Sequence, residues 1–100
     1  MHVRYSEDAL QDLHSIKTYL KQEAGGETAL RVIREIRRII REVILENPAI
    51  GRKTSFGIKR LHCFPAGKYK NYNIYYTVEN NIVIIRVLHG KRDLSKILEK

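Results

Sequence analysis

The side chains best suited to chemistry gather near one end of the 100-residue chain. His89 follows the apolar run Ile84-Ile85-Arg86-Val87-Leu88 and precedes Gly90-Lys91-Arg92-Asp93. An imidazole with an ordinary pKa near ~6.5 can move a proton at neutral pH, and guanidinium groups such as Arg60, Arg86 and Arg92 can flank a phosphate. Together they are the ingredients of proton transfer at a phosphodiester. Strand parity opposes the grouping, because Arg86 lies three positions before His89 and falls on the opposite face of a regular strand. The competing reading makes His89 a strand-end residue that hydrogen-bonds the backbone of the next turn.

Other catalytic patterns are missing from the sequence. It has no serine nucleophile motif, no phosphate-cradling glycine loop and no paired carboxylates. His2, His14 and His62 have no spacing that suits a metal or a triad and read as surface or packing residues. Cys63 is the single cysteine. It can form no disulfide within the chain and reads as a small buried apolar residue. No metal or cofactor is expected. Tyr69, between Lys68 and Lys70, could stack on a base. Tyr72 and Tyr76 share a strand face with Ile74 and Val78, and Tyr75 lies on the other with Asn73 and Thr77.

Charge is divided unevenly along the chain. Residues 1–46 carry eight basic and eight acidic side chains, whereas 47–100 carry eleven basic ones against Glu79, Asp93 and Glu99, so the whole net charge of +8 lies in the second part. Between Glu46 and Glu79 no carboxylate offsets Arg52, Lys53, Lys59, Arg60, Lys68 and Lys70. Such a segment favours an acidic or polyanionic partner. Apolar residues at 43% and charged ones at 30% describe a foldable chain, and the length suits one domain spanning residues 1–100. With no apolar run of ~20 residues and no leader-like start, a cytoplasmic protein is expected, without membrane contact.

The elements that must position these residues fall into two patterns. Val3–Tyr5 is a short strand. Ser6 caps a helix over 6–24 whose first turn carries Glu7 and Asp8, with Leu10, Leu13, Ile16 and Leu20 at helical spacing. Ala24-Gly25-Gly26 interrupts it. A second helix, from Glu27-Thr28 to about Glu46, buries Ala29, Val32, Ile33, Ile36, Ile39, Ile40, Val43 and Ile44 and ends at Asn47-Pro48. Its opposite face holds Arg31, Arg34, Arg38 and Arg41 with Glu35 and Glu42. Pairing of Arg31 with Glu35 and Arg38 with Glu42 makes this a solvated surface rather than a nucleic-acid ridge.

Beyond the polar stretch from Gly51 to Gly57, strands are predicted at Ile58–Phe64, Tyr72–Val78 and Ile82–Leu88. The first ends in a Pro65-Ala66-Gly67 turn, with Leu61 and Cys63 on one face and Arg60, His62 and Phe64 on the other. Residues 94–99 can add a short C-terminal helix. The order is β-α-α-β-β-β, an α+β class in which an N-terminal helical hairpin packs on a small antiparallel sheet.

The sequence resembles the RelE/ParE superfamily of toxins from bacterial type II toxin-antitoxin modules, and its ParE-like branch most of all. The resemblance rests on Tyr5-Ser6-Glu7-Asp8-Ala9, Leu13, Ile16-Lys17-Thr18-Tyr19-Leu20, Asn47-Pro48, Gly51, Ile58-Lys59-Arg60, Tyr72-Asn73-Ile74-Tyr75-Tyr76, and the run from Ile84 to Asp93. It implies the same hairpin-on-sheet fold. It also implies one of two activities. ParE-like members trap DNA gyrase on cleaved DNA, while RelE-like members cut messenger RNA on the ribosome, using basic residues with a tyrosine or a histidine-tyrosine pair near the C-terminus. Here no tyrosine follows Tyr76 and Gly90 succeeds His89, which favours the gyrase branch. Under the nuclease alternative, His89, Arg60, Arg86 and Arg92 would be the catalytic set. A third alternative is a non-toxic, basic nucleic-acid-binding module. The resemblance further implies a ParD-like or other type II antitoxin as partner, with Leu10, Leu13, Tyr19, Ile97 and Leu98 as its contacts. DNA gyrase would be the target, touched through His89, Lys91 and Arg92.

Overall fold

The computed structural model describes residues 1–56, 59–67 and 72–90. Along the chain run β1 (Val3–Tyr5), α1 (Glu7–Ala24), α2 (Gly26–Ile39), a π-helical turn (Ile40–Ile44), a 3-10 turn (Pro48–Ile50), β2 (Arg52–Phe56), β3 (Lys59–Ala66), β4 (Tyr72–Val78) and β5 (Ile82–His89). The strands form one sheet in the order β1-β5-β4-β3-β2. It is mixed rather than purely antiparallel, because β1 runs parallel to β5 while every other pair is antiparallel. The two helices cover one face.

Helix α1 starts where the sequence places it. The Ser6 hydroxyl accepts from the Ala9 N–H at 2.9 Å, and Glu7 and Asp8 fill the first turn. Gly25, at φ 94°, breaks the hairpin, its N–H returning to the Lys21 carbonyl at 3.2 Å. Helix α2 ends earlier as an α-helix than periodicity suggests. At Ile40–Ile44 it widens into a π-turn, sealed by the Leu45 N–H on the Ile40 carbonyl at 3.0 Å. That turn keeps Ile40 and Ile44, both fully buried, over the sheet beside Ile36. Each such side chain contributes roughly 1.5–3 kcal/mol of burial.

Three further departures from expectation have simple causes. Residues 52–56 form a strand where a polar loop was expected. As an edge strand, β2 needs no alternating apolar face, and Arg52 and Lys53 suit an edge exposed to solvent. The sheet therefore has four strands after the helices, not three. Strand β3 runs through Pro65 to Ala66 instead of turning at Pro65. Pairing of β2 with β3 stops at Arg52 opposite Cys63, so Pro65 has a neighbour only on the β4 side and its missing N–H leaves no bond unmade. The expected C-terminal helix lies outside the described residues.

The main core joins Ala9, Leu13, Ile36, Ile39, Ile40 and Ile44 of the helical layer to Tyr72, Ile74, Tyr76, Ile82, Ile84 and Val87 of the sheet. A second cluster, Leu61, Cys63, Tyr75 and Leu88 with Ile85, lies on the other face. Burial raises the Cys63 thiol, consistent with its packing role. Tyr76 ties the chain after α2 to the sheet. Its hydroxyl accepts from the Gly51 N–H at 3.0 Å and donates to the Pro48 carbonyl at 2.8 Å. A Cβ at Gly51 would lie 2.6 Å from that hydroxyl, which is why no side chain fits there.

Candidate functional site

The site is built around an irregularity in β5. Tyr75 pairs with Arg86 and Tyr76 with Ile84, so β5 carries one extra residue, Ile85, at a bulge. Helix α1 stitches itself to this point. The Ser6 hydroxyl donates to the Ile85 carbonyl at 2.8 Å, and the Ser6 N–H donates to the Ile84 carbonyl at 2.9 Å. Nearly two turns on, Asp12 accepts from the Val87 N–H at 2.9 Å and from both Nε and Nη2 of Arg86, at 2.8 and 2.9 Å. The Asp12 and Arg86 side chains are 10% and 15% exposed. The hydrogen bonds that Arg86 donates to Asp12, outweighing burial, raise the Arg86 pKa and keep its guanidinium charged.

The bulge alters the parity read from the sequence. It brings Val87 onto the helix-covered face with Ile82 and Ile84. Beyond the bulge the pairing is regular, so Arg86, opposite Tyr75, and His89, opposite Tyr72, keep the opposite faces that parity assigns, although Arg86 bonds to Asp12 of α1. His89 caps the far end of β5, exposed, with its ring edge-on to Tyr72 at 5.6 Å between centroids and 85° between planes. It borders an open groove of about 640 Å³ between α1 and the sheet, lined by Asp12, Ser15, Ile16, Tyr19, Leu20, Tyr72, Val87, Leu88 and His89. The lining is aliphatic and aromatic with hydroxyls at the rim. Burial raises the Tyr72 phenol, helped by the neighbouring Tyr19.

This geometry separates the residues that the nuclease alternative would combine. Arg86 is engaged by Asp12. Arg60 is exposed near the start of β3. Extending the β3–β4 register puts it level with Val78 and hence with Ile82, seven residues from His89 along β5. At ~3.3 Å per residue that is roughly 23 Å. Arg92, with Lys91, lies outside the described residues. Among the described residues no cluster of His, Cys, Asp or Glu could hold a metal. His62 stacks on Tyr76 at 5.1 Å, with Nδ1 3.3 Å from the Gly51 carbonyl, which makes it a packing residue.

The residues expected to meet an antitoxin are also sorted. Tyr19 is 61% exposed at the groove rim. Leu10 is 48% exposed. Nine residues apart at ~100° each, the two lie on opposite flanks of α1 and share no surface. Leu13 is a correction: at 4% exposure it belongs to the core, because its helical phase points it at the sheet. Ile97 and Leu98 lie outside the described residues.

The Asp12–Arg86 clasp was not foreseen as a pair. Its signal was present, since Asp12 interrupts the apolar face of the first helix and Arg86 is the one charge in the apolar run of β5. Two buried positions of opposite sign have good reason to find each other.

Residues 3–94 match the family model described as ParE toxin of type II toxin-antitoxin system, parDE. No curated protein gives a significant match to the sequence. Among solved structures, one described as the chromosomal ParDE TA system from P. aeruginosa superposes with a TM-score of 0.72 at 19% sequence identity, covering 89% of this chain and 95% of that one. At that identity the likeness concerns the fold. It agrees with two helices packed on a five-stranded mixed sheet.

Proposed function

The chain belongs to the ParE toxin family of type II toxin-antitoxin systems, and on that premise we propose that it acts by binding: it engages DNA gyrase, holds the enzyme on cleaved DNA, and is silenced by a ParD-like antitoxin. Its place of action is the cytoplasm, where gyrase meets the chromosome. Among the described residues no helix is long and apolar enough to cross a membrane.

The observation that carries this reading is the groove beside His89. An open cleft walled by Ile16, Leu20, Val87 and Leu88 and rimmed by Tyr19 and Tyr72 suits the apolar face of a peptide segment. Arg86, which could have served a phosphate, is committed to Asp12. The antitoxin's C-terminal segment folds on binding, with apolar side chains in the groove and acidic ones facing a chain of net charge +8. His89 borders the same groove. An antitoxin seated there covers a residue that we assign to target contact, together with Lys91 and Arg92.

The test uses the purified full chain in an ATP-dependent supercoiling reaction. Inhibition at stoichiometric toxin, relieved by the antitoxin segment, supports the proposal. Unchanged supercoiling at large excess overturns the gyrase assignment. Primer extension on translated message distinguishes the nuclease alternative, which requires discrete cuts that vanish in His89→Ala.

A further inference from the structure

The outward face of α2 lies away from the groove. Arg31, Arg34, Arg38 and Arg41 run straight along it, all exposed. Ten residues at ~1.5 Å rise give a ridge about 15 Å long. Of the two expected pairs, Arg38 with Glu42 forms and Arg31 with Glu35 does not. Arg38 takes both carboxylates, Glu35 through Nε and Nη2 and Glu42 through Nη1 at 3.1 Å. One arginine thus neutralises two glutamates, and Arg31, Arg34 and Arg41 hold no ion pair among the described residues. The remaining carboxylate on this face, Glu27, sits in the first turn of α2, where the positive end of the helix dipole offsets it. Arg37 is turned aside, its guanidinium 5.1 Å from the centre of the Tyr5 ring.

We infer that this ridge docks on the sugar-phosphate backbone of duplex DNA, with Arg31, Arg34 and Arg41 as the phosphate-binding residues. Three features favour that partner over others. All the cations of α2 are arginines, whose planar forks match phosphate oxygens in pairs. Among the described residues Leu30 is the one apolar side chain on this surface, so they supply no buried apolar centre of the kind a folded protein partner needs. Among the described residues no aromatic side chain lies between these arginines to stack unpaired bases, whereas a rigid, straight ridge meets the evenly spaced phosphates of a duplex. About 15 Å covers four or five base-pair steps of ~3.4 Å. This surface is separate from the groove, and its use requires neither gyrase nor an antitoxin.

The experiment is fluorescence anisotropy of the purified chain with a labelled 25-base-pair duplex, from 50 to 200 mM salt, without gyrase. Basic residues elsewhere give every variant a shared background slope. Arg31→Gln/Arg34→Gln/Arg41→Gln should flatten the log-log salt slope by about 2.7 units, which is a ~40-fold smaller loss of affinity over that range. The triple lysine variant should keep most of the wild-type slope. Glu35→Gln/Glu42→Gln should release Arg38 and steepen the slope by about one unit, a gain that a merely structural role for these residues would not produce. An unchanged slope in the triple glutamine variant overturns the inference, as does equal competition by polyglutamate or by single-stranded RNA of matched charge.

Discussion

Replacing Asp12 with asparagine preserves size and one acceptor for the Val87 N–H while removing the charge that Arg86 faces. A guanidinium 15% exposed then loses its paired carboxylate and keeps only the weaker attraction of Asp8. Breaking a buried ion pair from one side typically costs about 3–5 kcal/mol, and the slight exposure of both partners places Asp12→Asn near the lower end, about 3 kcal/mol. For a domain of this size that is a large part of a total of roughly 5–15 kcal/mol. In urea, with m between ~1 and 3 kcal/mol/M, the midpoint should fall by roughly 1–3 M at unchanged m. Arg86→Met should cost a similar amount by stranding the carboxylate. The double variant Asp12→Asn/Arg86→Met should be more stable than the sum of the single losses implies, because it buries no lone charge. Strict additivity, or a loss below ~1 kcal/mol for Asp12→Asn, would refute the claim that this clasp fixes α1 to the bulge.

Other outcomes follow from the same structure. Tyr76→Phe removes the bridge between Gly51 and Pro48 and strands a buried N–H, so urea denaturation should show a loss of about 1–3 kcal/mol. Gly51→Ala should also destabilise, since its Cβ meets the same hydroxyl at 2.6 Å, and adding Tyr76→Phe should recover part of the loss. Burial raises the phenols of Tyr72, Tyr75 and Tyr76 above 10.0. Their contribution to stability is complete below the unfolded value near pH ~10 and is lost as pH rises through the folded values. In an alkaline titration these phenols should ionise together with loss of far-ultraviolet dichroism, and ionisation at the ordinary value with the fold intact would contradict this. Tyr19→Asp should weaken antitoxin binding at least tenfold by calorimetry, whereas Leu10→Asp, on the opposite flank of α1, should change it far less.

Much of the architecture could be read from the residues themselves. Ser6 with Glu7 and Asp8 marked the start of α1, the isoleucine spacing marked α2, and the tyrosines of β4 took the faces their alternation assigns. What escaped was structure without a periodic signature. In β5, Ile84-Ile85 and Val87-Leu88 are apolar on both sides of Arg86, so no alternation shows the extra residue. The bulge becomes visible only through its partners, Ser6 and Asp12, more than seventy residues away in sequence. Strand β2 was hidden because an edge strand can be polar throughout, and the π-turn because Ile39-Ile40 reads equally well as ordinary helix. The same bulge explains the site: it carries Val87 and His89 to the helix-covered face, while Arg86 keeps the opposite side from His89 and is held by Asp12.

The proposed hold of this ParE toxin on gyrase at cleaved DNA can be read from the yield of protein-linked linear DNA after gyrase, supercoiled plasmid and the purified chain are quenched with detergent and digested with protease. Linear product should rise with toxin to a plateau near one toxin per gyrase subunit and fall to background when the antitoxin segment is added first. Linear product that stays at background across the titration, with supercoiling unimpaired, would contradict it.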